Sequence, residues 1–231
     1  MTFDYWNTLC RADPVSTSRR RKQAWHATAR ERGIDVAPEV LDGVLDHVSA
    51  RHHEGWMTNE QFTADHALGL AAELLASVLG AGDAEALREA WFVASARADV
   101  ALTPYCAEVL AGLRARGVRI GIVCDVGLTP SAMLRGFLEH HGVLWYFDHW
   151  SFSDEVGVYK PAAAIFEHAL AGLAARPDEA LHIGDIRRTD VAGARAAGMR
   201  AVRYRGVADD TDTSIDDADV VVDDLRALLD W

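Results

Sequence analysis

The 231 residues predict an α/β fold, a doubly wound, Rossmann-like parallel sheet with a block of four helices set into it. Short apolar runs alternate with helical stretches from about residue 104 onward, the rhythm of a parallel sheet covered by helices on both faces. One further apolar run, Thr2 to Tyr5, stands alone at the start. Residues 15–98 lie between it and the rest, and there helical periodicity dominates without a convincing strand.

The first run is read as a strand that joins the later sheet. Four helices follow, about Ser18 to Arg32, Ala37 to His53, Asn59 to Leu79 and Asp83 to Ala98, each bounded by glycine or proline punctuation. A helix from Pro104 to Arg116 ends at Gly117 and leads into the apolar run Val118 to Cys124, then Thr129 to His141 reads as another helix. Further strands are expected near Phe147 to Phe152, Ala180 to Ile183 and Met199 to Tyr204, separated by helices near Ala162 to Ala175 and Thr189 to Ala197. Asp209 to Asp219, with six acidic residues, reads as a solvated loop and strand edge, Val220 to Val222 as a last strand and Leu225 to Trp231 as a closing helix. The expected organisation is an α/β core of residues 1–14 and 99–231 with a helical cap of residues 15–98.

A net charge of −12, from 35 acidic and 23 basic residues, argues against a general binder of nucleic acid or anionic membrane. No stretch approaches the roughly 18 apolar residues of a membrane span, and the first ten residues lack a secretory pattern, so the cytoplasm is the expected location. Cys10, Cys106 and Cys124 are odd in number and widely spaced, which indicates neither a disulfide framework nor a thiolate metal knuckle.

Several residues sit where chemistry is done. Asp4 ends the first strand, where open parallel sheets place their ligands, and an aspartate there can attack phosphorus or merely cap a turn. Asp185 follows Gly184 at another strand end and can hold a hard cation; Asp190 can reach it too, orient a neighbour, or cap the next helix. Lys160 is one of two lysines, with Lys22, beside 21 arginines, and a compact ammonium can steady both a carboxylate and a phosphoryl oxygen or form a fixed surface pair. Cys124 and Asp125 close an apolar strand, the thiol being either a weak donor to phosphate or a small buried hydrophobe. Arg19, Arg20, Arg21 and Lys22 either favour an anionic substrate or form a solvated face. His47, His52, His53 and His66 do not match a strong zinc signature, and Trp25, Trp56 and Trp91 fit core packing better than a pocket lining.

Together Phe3-Asp4-Tyr5-Trp6-Asn7-Thr8-Leu9, Asp154-Glu155-Val156-Gly157-Val158-Tyr159-Lys160-Pro161 and His182-Ile183-Gly184-Asp185 running on to Asp190 resemble the haloacid dehalogenase superfamily, in its form with a helical cap after the first strand. The resemblance implies a Mg2+-dependent phosphohydrolase acting on a small phosphorylated or otherwise anionic molecule through an aspartyl phosphate, as a monomer or a homodimer. By motif position it implies Asp4 as nucleophile, Lys160 as positioning cation, Cys124 and Asp125 with Lys160 at the phosphate, and a metal held by Asp4, the Trp6 main-chain oxygen, Asp185 and Asp190. Thr8 holds the small hydroxyl position of the first loop.

Two departures bear on function. Trp6 stands where phosphatases of this kind carry an acid/base aspartate, a contribution worth about 10²- to 10⁴-fold. Cys124 stands where they carry serine or threonine. Dehalogenases also place a non-acid at the Trp6 position, and a noncatalytic phosphate-ligand-binding or interaction protein on the same fold is another reading. Phosphonate hydrolysis would need a cap lysine, for which Lys22 is the only candidate.

Overall fold

The computed structural model describes residues 1–230. Its elements in chain order begin with strands β1 (Thr2–Phe3) and β2 (Cys10–Ala12). Helices α1 (Pro14–Arg32), α2 (Pro38–Thr58), α3 (Ala64–Leu74) and α4 (Asp83–Ala96) come next. Then follow β3 (Val100–Leu102), α5 (Cys106–Ala115), β4 (Gly121–Cys124), α6 (Ser131–His140), β5 (His149–Phe152), α7 (Ser153–Val156) and α8 (Ala163–Gly172). The chain closes with β6 (Leu181–Gly184), α9 (Ala192–Ala196), β7 (Arg200–Tyr204) and β8 (Val220–Val222).

Six strands form one sheet in the order β5-β4-β1-β6-β7-β8, every pairing parallel. The chain leaves β1, builds β4 and β5 on one side, then crosses back to β6 on the other. That reversal puts the ligand crevice of such a sheet at the carboxyl ends of β1 and its two neighbours. Phe3 lies opposite Ile122 and Ile183, so Asp4, Cys124 and Asp185 emerge at one edge. Beneath it Val123, Ile165, Phe166, Leu170, Val191 and Met199 pack into a buried core.

Met1–Arg11, Val100–Val126 and the chain from Leu134 onward form one compact unit; Ala12–Asp99 and Gly127–Met133 form a second, helical one. Placing 127–133 there departs from the expected division, which gave that stretch to the α/β core. The reason is local: Arg21 donates to Leu128 O and Thr129 Oγ1, each at 2.8 Å, and Trp91 donates through Nε1 to Leu128 O at 3.2 Å. Burial brings the Arg21 guanidinium down to about 10, and it lies 4.2 Å from the Trp91 ring centroid. Trp25 and Trp91 are core residues with ring centroids 6.1 Å apart.

Other differences have similar local causes. α3 is shorter than the expected Asn59 to Leu79 because Thr63 and His66 form a reciprocal capping box that starts the helix at Ala64. β2 and β3 pair into a separate two-stranded ribbon, too short and too polar at Arg11 to read as strands. The closing segment is a 3₁₀ turn, Leu225–Asp230, and Trp231 lies outside the described residues. The acidic stretch near Asp209 is largely solvated, as expected, and is also pinned at points by arginines. Arg203 donates to Asp217 through Nε at 2.7 Å and Nη2 at 3.0 Å and through Nη1 to Asp209, while Arg187 reaches Asp217 at 2.9 Å. No helix among the described residues is long and apolar enough to cross a membrane.

Candidate active site

The segment after β1 turns back within six residues. Leu9 N and Cys10 N both donate to Tyr5 O, at 3.0 and 2.8 Å, and Asn7 N donates to Cys10 O at 2.7 Å. Asn7 takes a left-handed φ of 59°, which asparagine tolerates better than most residues. Tyr5 is fully buried and its hydroxyl donates to Leu134 O at 3.0 Å, whereas Trp6 is half-buried. Asp4 N donates to Ile183 O at 2.7 Å, which ties the turn to β6.

Three of the expected site residues meet at that edge. Lys160 Nζ lies 2.6 Å from Asp4 Oδ1 and 2.6 Å from Asp190 Oδ1, and all three groups are buried. Asp185 is held from the β1 turn, its Oδ2 accepting from Asn7 Nδ2 at 3.1 Å. Gly184 makes the packing possible, since a Cβ there would fall 2.2 Å from Asp190 Cγ. Pro161 precedes α8 rather than opening it: the Lys160–Pro161 peptide is cis and the helix starts at Ala163.

The charges do not cancel. Burial works against the Lys160 ammonium, but Asp190, Asp4 and Asp125 outweigh it and hold the group charged. For Asp190, burial is outweighed by Lys160 and His182, so its carboxyl stays well below the usual carboxylate range. Asp4 and Asp185 go the other way. Burial raises both, the neighbouring carboxylates add to it, and Asp185 reaches about 7. One ammonium therefore serves three buried carboxylates.

That surplus is the test of fit for a divalent cation. Hard oxygen donors with excess negative charge suit Mg2+, which commonly binds through one or two carboxylates, water and substrate phosphate. Among the described residues no group of three or more His, Cys, Asp or Glu converges as a ready-made metal cage. Asp190 departs from the expected ligand set: Lys160 and His182 engage its Oδ1, and Ile186 N and Thr189 Oγ1 engage its Oδ2. Both of its oxygens accept from protein donors.

Asp125 and Cys124 are also placed differently from expectation. Asp125 Oδ1 accepts from Lys160 N at 2.7 Å, which ties the residue after β4 to the Lys160 loop. The buried Cys124 thiol is pushed well up by burial and by the Asp4 carboxylate, and it donates to Asp125 O at 3.4 Å. Thr8 Oγ1 is buried without a hydrogen-bond partner, while Thr8 O accepts from Thr103 Oγ1 at 2.7 Å. In the helical unit Lys22 pairs with Asp46 at 2.7 Å and His52 Nδ1 lies 3.2 Å from Phe62 O, and among the described residues the histidines form no metal-binding group.

Sequence reasoning missed Asn7 and His182. His182 is buried, with Nε2 3.0 Å from Asp190 Oδ1 and Nδ1 2.9 Å from Thr2 Oγ1. Burial holds the imidazole below its ordinary value despite the Asp190 carboxylate. The available signals were a polar residue inside an apolar strand run and an asparagine in a tight turn.

The chain is 34% identical over 207 residues to ribulose-1,5-bisphosphate 5-phosphatase of Halopiger xanaduensis, covering 87% of this chain and 82% of that protein. Two solved structures share the fold. A 2-haloacid dehalogenase from Pseudomonas syringae pv. Tomato has a TM-score of 0.72 at 20% identity, covering 99% of this chain and 95% of that one. A HAD-hydrolase from Bacillus subtilis, solved bound to magnesium, has a TM-score of 0.65 at 15% identity, covering 98% and 95%. The family described as haloacid dehalogenase-like hydrolase matches residues 1–198. With a parallel sheet that gathers Asp4, Lys160 and Asp185 at its carboxyl edge, and a family match over most of its length, the chain belongs to the haloacid dehalogenase-like hydrolases.

Proposed function

We propose that the chain is a magnesium-dependent phosphatase of small phosphorylated metabolites that works through an aspartyl phosphate on Asp4. One observation carries the reading: a buried ammonium, Lys160, spans Asp4 and Asp190 at 2.6 Å each at the ligand-binding edge of the sheet. Asp4 attacks phosphorus as the bond to the leaving oxygen breaks, and water then cleaves the aspartyl phosphate, restoring the carboxylate and releasing phosphate. Lys160 keeps the attacking carboxylate in place and offsets the charge of the incoming phosphoryl oxygens. Asp4, the Trp6 main-chain oxygen and Asp185 would hold the magnesium, which when bound supplies charge neutralisation between two anionic partners. The 34% identity to a sugar bisphosphate phosphatase supports the substrate class. The helical unit serves as the cap that selects the rest of the substrate, and carries a cavity of about 460 Å³ lined by Val15, Ser18, Arg19 and Lys22.

Trp6 has no proton to give, so the leaving oxygen departs unassisted by that position. The favoured substrates are then those whose leaving groups are stable as anions, or which carry their own proton donor. Phosphate release should be measured with added magnesium across an acyl phosphate, an aryl phosphate and a panel of alkyl phosphate metabolites. The expected result is release that falls in that order and vanishes with Asp4→Asn. Folded, magnesium-loaded protein that releases phosphate from none of them overturns the reading. Trp6 also favours one second reading, displacement of halide from a short 2-haloacid; chloride release without magnesium would put that reading in place of the first.

A further inference from the structure

We propose that His182 is a positioning residue for the reaction, holding Asp190 so that the oxygen it shares with Lys160 keeps the ammonium on Asp4; this rests on the roles of Asp4 and Lys160 proposed above. The hydrogen-bond inventory of Asp190 is full. Oδ1 takes Lys160 Nζ at 2.6 Å and His182 Nε2 at 3.0 Å, and Oδ2 takes Ile186 N at 3.0 Å and Thr189 Oγ1 at 3.4 Å. A carboxylate only accepts, so the His182 hydrogen sits on Nε2. A neutral imidazole has one N–H, which leaves Nδ1 to accept from the Thr2 hydroxyl at 2.9 Å.

The resulting chain runs from Thr2 through His182 and Asp190 to Lys160 and ends on Asp4. Its first link crosses two paired strands, since Thr2 lies opposite His182 in the β1–β6 register. These are the strands that lead into Asp4 and Asp185. Phe166 closes the remaining side of the imidazole edge to face, with ring centroids 5.1 Å apart. Held between Asp190, Thr2 and Phe166, the ring has one orientation, and the Asp190 carboxylate selects the Nε2–H tautomer; the Thr2 hydroxyl also reaches Leu181 O at 3.4 Å. Without the Nε2–H, Asp190 Oδ1 would be held by Lys160 alone while Ile186 N and Thr189 Oγ1 still hold Oδ2, and the carboxylate could pivot about Oδ2 and draw the ammonium off its line to Asp4.

The test compares His182→Leu, which removes the donor at similar volume, with His182→Gln, whose side-chain amide nitrogen can replace it. Supporting contacts of this kind commonly cost about 10- to 100-fold when lost, and the loss in His182→Leu is expected in kcat, with KM held within about twofold. His182→Gln should recover most of it. In a Lys160→Met background the same His182→Leu change should cost no more than about twofold, because the link acts through the ammonium. Losses that multiply in the double variant, or that fall on KM, would reduce His182 to a packing residue. Thr2→Val, which keeps shape and removes the first link, gives a smaller loss of the same kind and covers the case in which His182→Leu does not fold. ¹⁵N NMR of the unmodified protein reads the tautomer without turnover: protonation at Nε2 is expected, and protonation at Nδ1 instead overturns the proposal. Wild-type protein silent on every phosphate ester would fail the phosphatase reading, and the NMR result would still decide the His182 contact.

Discussion

At the carboxyl edge of the sheet, one ammonium faces three buried carboxylates; beside β7, the Arg203 and Arg187 guanidiniums meet Asp217 and its neighbours. The second cluster is satisfied. Hydrogen bonds from Arg203 hold the Asp217 carboxyl well below the usual range, and its side chain is still 37% exposed to water. In the first cluster, burial and crowding push Asp4 and Asp185 up, although Lys160 lies against Asp4. Satisfied charge fastens a loop; surplus charge held in place by the fold awaits a partner. Charge held in that way is what a reaction centre requires and a purely structural contact does not.

The largest effect expected on this contrast comes from Lys160→Met. Removing a preorganised cation from a buried site should lower turnover about 10²- to 10³-fold, and phosphate-release assays at saturating magnesium check it. Trp6→Asp should move rates the other way by restoring an acid/base group. A gain of up to about 10²-fold on alkyl phosphates, with little gain on acyl phosphates, would confirm that the leaving-group proton is what the wild-type site lacks.

A smaller effect separates the clusters by sign. Asp185 has a folded-state value near 7, above its unfolded value of about 3.9. Its contribution to stability is therefore complete below about pH 4 and lost as pH rises toward 7. Asp217 is depressed, so its contribution is present above about pH 4 and lost as pH falls through its lower folded-state value. Melting curves without magnesium, between pH 4 and 8, should show Asp185→Asn more stable than wild type at the alkaline end by a few degrees. Added magnesium should stabilise wild type and leave Asp185→Asn unmoved. The smallest effect on turnover is expected from Asp217→Asn: activity within about twofold, and stability lower by about 1 to 2 kcal/mol after allowing for solvent exposure.

The parallel core and the strand-end positions of Asp4, Cys124 and Asp185 were legible because apolar runs and their terminating residues are local signals. Lys160 was legible from its rarity. The pairings were not. Thr2 and His182 are 180 residues apart and meet only through strand register. His182 itself sits inside an apolar run where a polar side chain carries no local clue to its partner. The acidic stretch near Asp209 is solvated as it reads, but composition does not reveal that Arg187 and Arg203 reach it across 23 and 6 residues. Asp125 and Asp190 both lie against Lys160, but which donors face each of their oxygens is decided by folding alone.

The hold that Arg21 keeps on Leu128 and Thr129 bears on how such proteins can be recombined. The helical unit is not one insertion but two, residues 12–99 and 127–133, and the chain passes between the units four times. A chimera that exchanged only the long stretch would strand Arg21 and the Trp91 indole without their acceptors on the short one. Exchanging the helical unit of this chain therefore requires both pieces to travel together.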